Sequence, residues 1–211
     1  MTDCLSEFCK RYPVLTSQAE NIELAAKTII QCYENNGKLI ACGNGGSASD
    51  SAHIVGELMK GFIKKRKLSE SMRIHLQSNN PNISNEMLDS LQIGLPAINL
   101  SENSAFNTAF ANDVSPDMLF AQGVYGYGKI NDVFLGITTS GNSKNVVTGA
   151  EIAKGMGLKT IGLTGRDGGK LSEICDICII APETETYKIQ ELHLPIYHQI
   201  CIMVEEKFFK E

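Results

Sequence analysis

The run Val133-Phe134-Leu135-Gly136-Ile137 passes directly into Thr138-Thr139-Ser140-Gly141-Asn142-Ser143 and then into a helical stretch from about Lys144 to Met156. It is apolar throughout rather than at alternate residues, so both its faces must be covered, as for a strand inside a parallel sheet. The same order recurs along the chain. Leu39-Ile40-Ala41-Cys42 leads into Gly43-Asn44-Gly45-Gly46-Ser47 and a helix from about Ala48 to Phe62. Lys159-Thr160-Ile161-Gly162-Leu163 leads into a glycine-rich loop and a short helical stretch near Leu171, and Ile177-Cys178-Ile179-Ile180 into a final helix from about Thr184 to Phe208. Pro195 should interrupt or kink that helix, because proline lacks the amide and clashes with the preceding turn. One more strand is expected at Ala97-Ile98-Asn99-Leu100. Ahead of the first strand, Ile22, Ala25, Ala26, Ile29 and Tyr33 share one face, so the first 36 residues are expected to be helical until Asn35-Asn36-Gly37 ends them. The alternation predicts an α/β, doubly wound, three-layer domain with a mainly parallel five-stranded sheet and an N-terminal helix.

At 211 residues, with 43% apolar and 20% charged residues, the chain is expected to form one globular domain over 1–211. Its net charge of −5 leaves no basic footprint for DNA or RNA, and nucleic acid is not expected as a partner. The run Lys64-Lys65-Arg66-Lys67 is read as a solvated helix end or loop, opening a less legible stretch to Ser115. A mobile excursion is expected within it, over 64–100. No apolar run approaches the ~20 residues of a membrane span, and Met1 to Glu7 lack a signal-peptide profile. Seven scattered cysteines argue against a disulfide framework and for a cytoplasmic protein.

Thr138 to Ser143 hold four hydroxyls in six residues where a strand hands over to a helix. Amides at a helix start carry partial positive charge, so hydroxyls and a close-approaching Gly141 beside them suit a phosphate; the alternative is a cap and turn with no ligand. Gly43 to Ala48 formally fits a dinucleotide fingerprint, but the region ~20 residues on is basic rather than acidic, which disfavours a nucleotide cofactor. Gly165 to Leu171 lack the Ser or Thr a Walker loop needs, which disfavours ATP hydrolysis. His53 and Glu57 lie four apart on the helix after the first loop, and Gln190, Glu191, His193 and His198 lie on the last one. A helical His and Glu at this spacing form either a surface pair or part of a metal set; two imidazoles, a carboxylate and an amide oxygen suit zinc. Cys175 and Cys178 read as packing residues, and His75 has no assigned role.

Taken together, Cys42 to His53, Asn112-Asp113, Thr138 to Ser143, Leu163 to Lys170 and Ile189 to His198 resemble, in order, the sugar isomerase (SIS) domain family and its phosphoheptose isomerases, over almost the whole chain. The resemblance implies a flavodoxin-like SIS fold and an aldose–ketose isomerase, converting sedoheptulose 7-phosphate to D-glycero-D-manno-heptose 7-phosphate through an enediol. It implies sugar contacts from Asn44, Gly45, Gly46, Ser47, Asn112, Asp113 and Gln190, and phosphate contacts from Thr138, Thr139, Ser140 and Ser143. It further implies zinc on His53, Glu57, Gln190 and His198, an acid–base pair of Glu57 and His198, and a homotetramer with sites at subunit interfaces. Three departures bear on the sugar: Lys60-Gly61 stand where the family usually has Gly-Arg, Thr186-Tyr187-Lys188 ahead of Ile189-Gln190 replace an acidic residue often found just before the Gln, and the stretch from Phe62 to Asn112 is longer than usual. The alternatives are a non-catalytic phosphosugar-binding regulator or scaffold, or an isomerase of another sugar phosphate. The joint presence of Glu57, Gln190 and His198 separates the enzyme from the first of these.

Overall fold

The computed structural model describes residues 3–209; the helical expectation for Met1 and Thr2 lies outside them. Pro13 divides the N-terminal segment. Helix α1 (Asp3–Arg11) and α2 (Ala19–Glu34) are separated by a 3-10 turn over Pro13–Gln18, where the single helix expected from the pattern gives way to a bend. Asn36 then takes a positive φ of 58°, as the Asn-Asn-Gly stop signal requires.

The strands follow the apolar runs. β1 (Leu39–Gly43) leads into α3 (Gly46–Met59). Two helices, α4 (Glu70–Asn79) and α5 (Asn85–Ser90), precede β2 (Ala97–Asn99), and α6 (Ser104–Asp113) and α7 (Leu119–Tyr127) follow it. Next come β3 (Val133–Ile137), α8 (Lys144–Gly155), β4 (Lys159–Gly165), α9 (Gly169–Ile174), β5 (Ile177–Ala181) and α10 (Thr186–Phe208). α3 stops three residues earlier than expected, and α10 runs unbroken through Pro195.

All four strand pairings are parallel and the order is β2-β1-β3-β4-β5. One face of the sheet is covered by α2, α3 and α10, with Ile22, Ile29, Ile54, Leu58, Ile196 and Val204 among its buried residues. The other is covered by α7, α8 and α9, through Phe120, Val124, Val146, Ala150 and Leu171. Every residue of β1 and β3 is buried, which is why their sequences read as continuous apolar runs.

Arg66 corrects the reading of the basic run. It is 1% exposed, not solvated, and its Nε lies 2.8 Å from Glu205 Oε1. The polar stretch beyond it forms α4, which buries no residue. Among the described residues, no helix is long and apolar enough to cross a membrane.

Candidate active site

In this strand order the chain leaves β1 and β3 in opposite directions, so a crevice opens beyond their carboxyl ends. Both chemistry-bearing loops lie there, because Gly43 and Ile137, the last residues of β1 and β3, are register partners. In the first loop a Cβ on Gly43 would sit 2.6 Å from the Ser47 carbonyl, and Gly45 has a φ of 54°, so glycine is required at both places. Asn44 from this loop and Asn145 from the start of α8 exchange two amide hydrogen bonds of 2.9 and 3.0 Å, tying the loops together. Asn44, Gly45 and Gly46 are exposed and Ser47 is buried.

The second loop folds on its own hydroxyls. Ser143 occupies the N-cap of α8, yet its Oγ lies 2.8 Å from Thr138 Oγ1 instead of capping a helix amide. Ser140 Oγ accepts from the Asn142 amide at 3.2 Å. Val146 and Val147 amides both use the Ser143 carbonyl, while those of Lys144 and Asn145 have no acceptor among the described residues. Free amides at a helix start beside clustered hydroxyls form a cradle for an anion.

Beyond the loops, α3 and α10 bring their ionisable residues face to face. His53 Nε2 lies 3.1 Å from Glu57 Oε1, the one-turn neighbour its spacing indicated. The His198 ring stands edge-on to His53, 5.0 Å between centroids, and its Nε2 is buried with no hydrogen-bond partner. Burial first, then the neighbouring His53, lowers the His198 pKa below its ordinary value, against the opposing pull of Glu57. Lys60 extends to Glu57 Oε2 at 2.7 Å, a contact created by the departure at 60–61. Two residues that the sequence reading passed over complete the cluster. Tyr197 Oη lies 3.0 Å from His53 Nδ1. Asp50 approaches both Tyr197 and the fully buried His193, whose Nδ1 is 3.8 Å from Asp50 Oδ2.

Other expected residues fall elsewhere. Gln190 packs its amide against Gly46, two turns of α10 away from His198. His193 donates from Nε2 to the Thr164 carbonyl at 3.1 Å. Asn112 and Asp113 end α6 on the surface and bond to one another at 2.9 Å. Cys175 and Cys178 pack over Gly162 as expected, and His75 meets Asn79 on exposed α4. Among the described residues no set of three or more His, Cys, Asp or Glu stands in a metal-holding arrangement. The donor chemistry still fits zinc, since His198 Nε2 is an orphaned buried nitrogen beside an imidazole and a carboxylate.

A family model described as the SIS domain matches residues 10–92 and 84–165. A phosphoheptose isomerase of Helicobacter hepaticus is 40% identical over 186 residues, covering 88% of this chain and 82% of that protein. One from Aliarcobacter butzleri is 35% identical over 194 residues, covering 92% and 89%. Among solved structures, phosphoheptose isomerase GmhA from Neisseria gonorrhoeae superposes with a TM-score of 0.75 at 30% identity, covering 95% of this chain and 94% of that one. A phosphoheptose isomerase from Francisella tularensis gives 0.77 at 30%, covering 93% and 91%. Each of these four matches spans more than four-fifths of both chains, and the chain belongs to the SIS-domain family, among its phosphoheptose isomerases.

Proposed function

We propose that this chain is an aldose–ketose isomerase that converts sedoheptulose 7-phosphate to D-glycero-D-manno-heptose 7-phosphate through an enediol. The observation that carries this reading is the His53–Glu57–His198 cluster, standing beyond a hydroxyl-lined helix start at the sheet's switch point. Thr138, Thr139, Ser140, Ser143 and the free α8 amides hold the phosphate, so binding energy from a non-reacting group aligns the carbons that react. Asn44, Gly45, Gly46, Ser47 and Gln190 line the sugar's path, with Asn112 and Asp113 closing it from α6.

Glu57 takes the proton from the carbon beside the carbonyl and returns it to the neighbouring carbon. His198, kept neutral by burial, accepts and returns the hydroxyl proton. His53, Glu57 and His198 would hold zinc, with Gln190 the fourth ligand that the family resemblance implies, and bound zinc would polarise the carbonyl oxygen. A carboxylate holding a metal is a weaker base, so the two duties of Glu57 belong to different moments of the cycle. The chain acts in the cytoplasm as a homotetramer, whose neighbouring subunits enclose the groove beside His198 that Phe8, Tyr12 and Phe62 line.

The test is incubation of the purified protein with ketose phosphates of five, six and seven carbons, with and without chelator, following aldose phosphate. Turnover of the seven-carbon ketose that chelator abolishes supports the proposal; binding of phosphosugars without turnover defeats it.

A further inference from the structure

We propose that Asn145 is a positioning residue that clamps Asn44 and so holds the sugar loop at a fixed distance from the phosphate cradle. This role rests on the sugar and phosphate assignments proposed above. Asn44 Nδ2 donates to Asn145 Oδ1 at 2.9 Å, and Asn145 Nδ2 donates back to Asn44 Oδ1 at 3.0 Å. Two bonds between planar groups fix their relative rotation as well as their separation, which a single bond leaves free. Turning either amide over alone would set like atoms face to face, so the two orientations specify each other. Among the described residues, no other hydrogen bond joins residues 44–47 to residues 138–145.

Asn145 suits this task because its backbone and its side chain serve different loops. It is the second residue of α8, and its backbone amide is one of the two left without an acceptor at the cradle. Its carboxamide, a few covalent bonds away, reaches the sugar loop. The anion site and the sugar loop are thereby joined through one residue anchored in a helix. The sugar loop has little else to hold Asn44. The Ser47 amide closes the turn on the Asn44 carbonyl at 3.0 Å, but that bond leaves the Asn44 side chain free to rotate. A Cβ on Gly45 would meet no atom within 4 Å, so nothing packs against the middle of the loop. The clamp removes this freedom before the sugar arrives, which is how preorganisation favours binding.

The neighbouring side chain does not supply a second link. Lys144 turns to Asp117, 3.7 Å away, and leaves the sugar loop untouched. Both amide bonds are exposed, and water competes for the same groups, so the pair adds little to folding stability. Its consequence is where Asn44 stands, not whether the chain folds.

The experiment is calorimetric titration of wild type, Asn145→Ala, Asn44→Ala and the double variant with sedoheptulose 7-phosphate and, separately, with inorganic phosphate. Asn145→Ala keeps its backbone amide. It is therefore expected to bind inorganic phosphate as wild type does, and sedoheptulose 7-phosphate about tenfold more weakly. The double variant is expected to bind the sugar phosphate no worse than Asn44→Ala, because the clamp acts only through Asn44. Wild-type affinity for the sugar phosphate in Asn145→Ala overturns the proposal. An equal loss for both ligands overturns it too, by placing Asn145 in the phosphate cradle alone, as does a double variant whose losses simply add. An Asn145→Ala chain that fails to fold also overturns it, since the pair would then be structural. Wild type that binds the sugar phosphate without turning it over removes the isomerase reading, while the variant affinities still decide the clamp. Wild type that binds neither ligand overturns both.

Discussion

Arg66 and Glu205 form an ion pair that water does not reach, with side chains 0% and 1% exposed. Neither group spends itself on the other alone. Glu205 also accepts from the amides of Phe62, Ile63 and Lys64, and Arg66 donates to the carbonyls of Leu58 and Glu57. The pair thus pins the end of α3, one residue from the Glu57 side chain, against α10. It fixes the two helices that carry the ionisable cluster relative to each other.

Removing one partner strands a buried charge. Arg66→Met is expected to cost about 3–5 kcal/mol of folding stability, read by chemical denaturation; a loss under 1 kcal/mol would show that water reaches Glu205.

The same pair sets an acid limit. Burial alone would raise the Glu205 carboxyl, but the three amides and Arg66 outweigh it and hold its pKa below the ordinary 4.5. A depressed carboxyl contributes its stability above the unfolded value and loses it as pH falls through the folded one. Wild type should therefore lose stability as pH drops below about 4.5, and Glu205→Gln should flatten that part of the profile from a lower starting point. Parallel profiles for the two proteins would assign the acid sensitivity to other carboxylates.

Glu57→Gln keeps size and hydrogen bonding but removes the base. Turnover should fall by at least ~100-fold, the lower range for an acid–base group, with the melting temperature nearly unchanged. The Glu57 side chain is 12% exposed and pairs with both His53 and Lys60, and glutamine keeps an oxygen that can accept from one of them. A variant that keeps wild-type turnover would move the base elsewhere.

What the sequence reveals of all this depends on distance along the chain. The strands, the two loops and the His53–Glu57 pair are local patterns, and each appears where its pattern placed it. Arg66 looked solvated because its partner lies 139 residues away. Tyr197 reads as a core aromatic until His53, 144 residues earlier, is found at its hydroxyl. Asn145, paired with Asn44 across the crevice, looks like any polar residue in a first helical turn. The polarity of α4 gave no period to follow, since no residue of that helix is buried.

Ser140→Asp places a negative charge inside the proposed phosphate cradle, whose Ser140 hydroxyl already accepts from the Asn142 amide. Affinity for phosphosugar should drop by on the order of tenfold or more, since like charges brought together cost several kcal/mol. Calorimetry with sedoheptulose 7-phosphate reads this directly, and equal affinity would reduce the loop to a structural cap.

Gly46→Ala isolates Gln190 without touching it. A Cβ at position 46 would overlap the Gln190 amide nitrogen and approach its Cδ to 3.0 Å. The overlapped atoms are the far end of a flexible side chain, so the amide can swing away at little energetic cost. Gly46 begins α3 and is not among the residues with positive φ, so alanine is compatible with its backbone. Folding stability should then hold or rise by up to about 1 kcal/mol, because alanine restricts the unfolded chain. Activity should instead fall about tenfold or more, as a displaced positioning group weakens alignment of the reacting atoms. The double variant Gly46→Ala with Gln190→Ala separates this from an effect of the loop itself. If the glycine matters only by leaving room for the amide, the double variant is no worse than Gln190→Ala alone, the non-additivity of residues in contact. Losses that simply add would mean that Gly46 serves the sugar through its own backbone, and Gln190 independently.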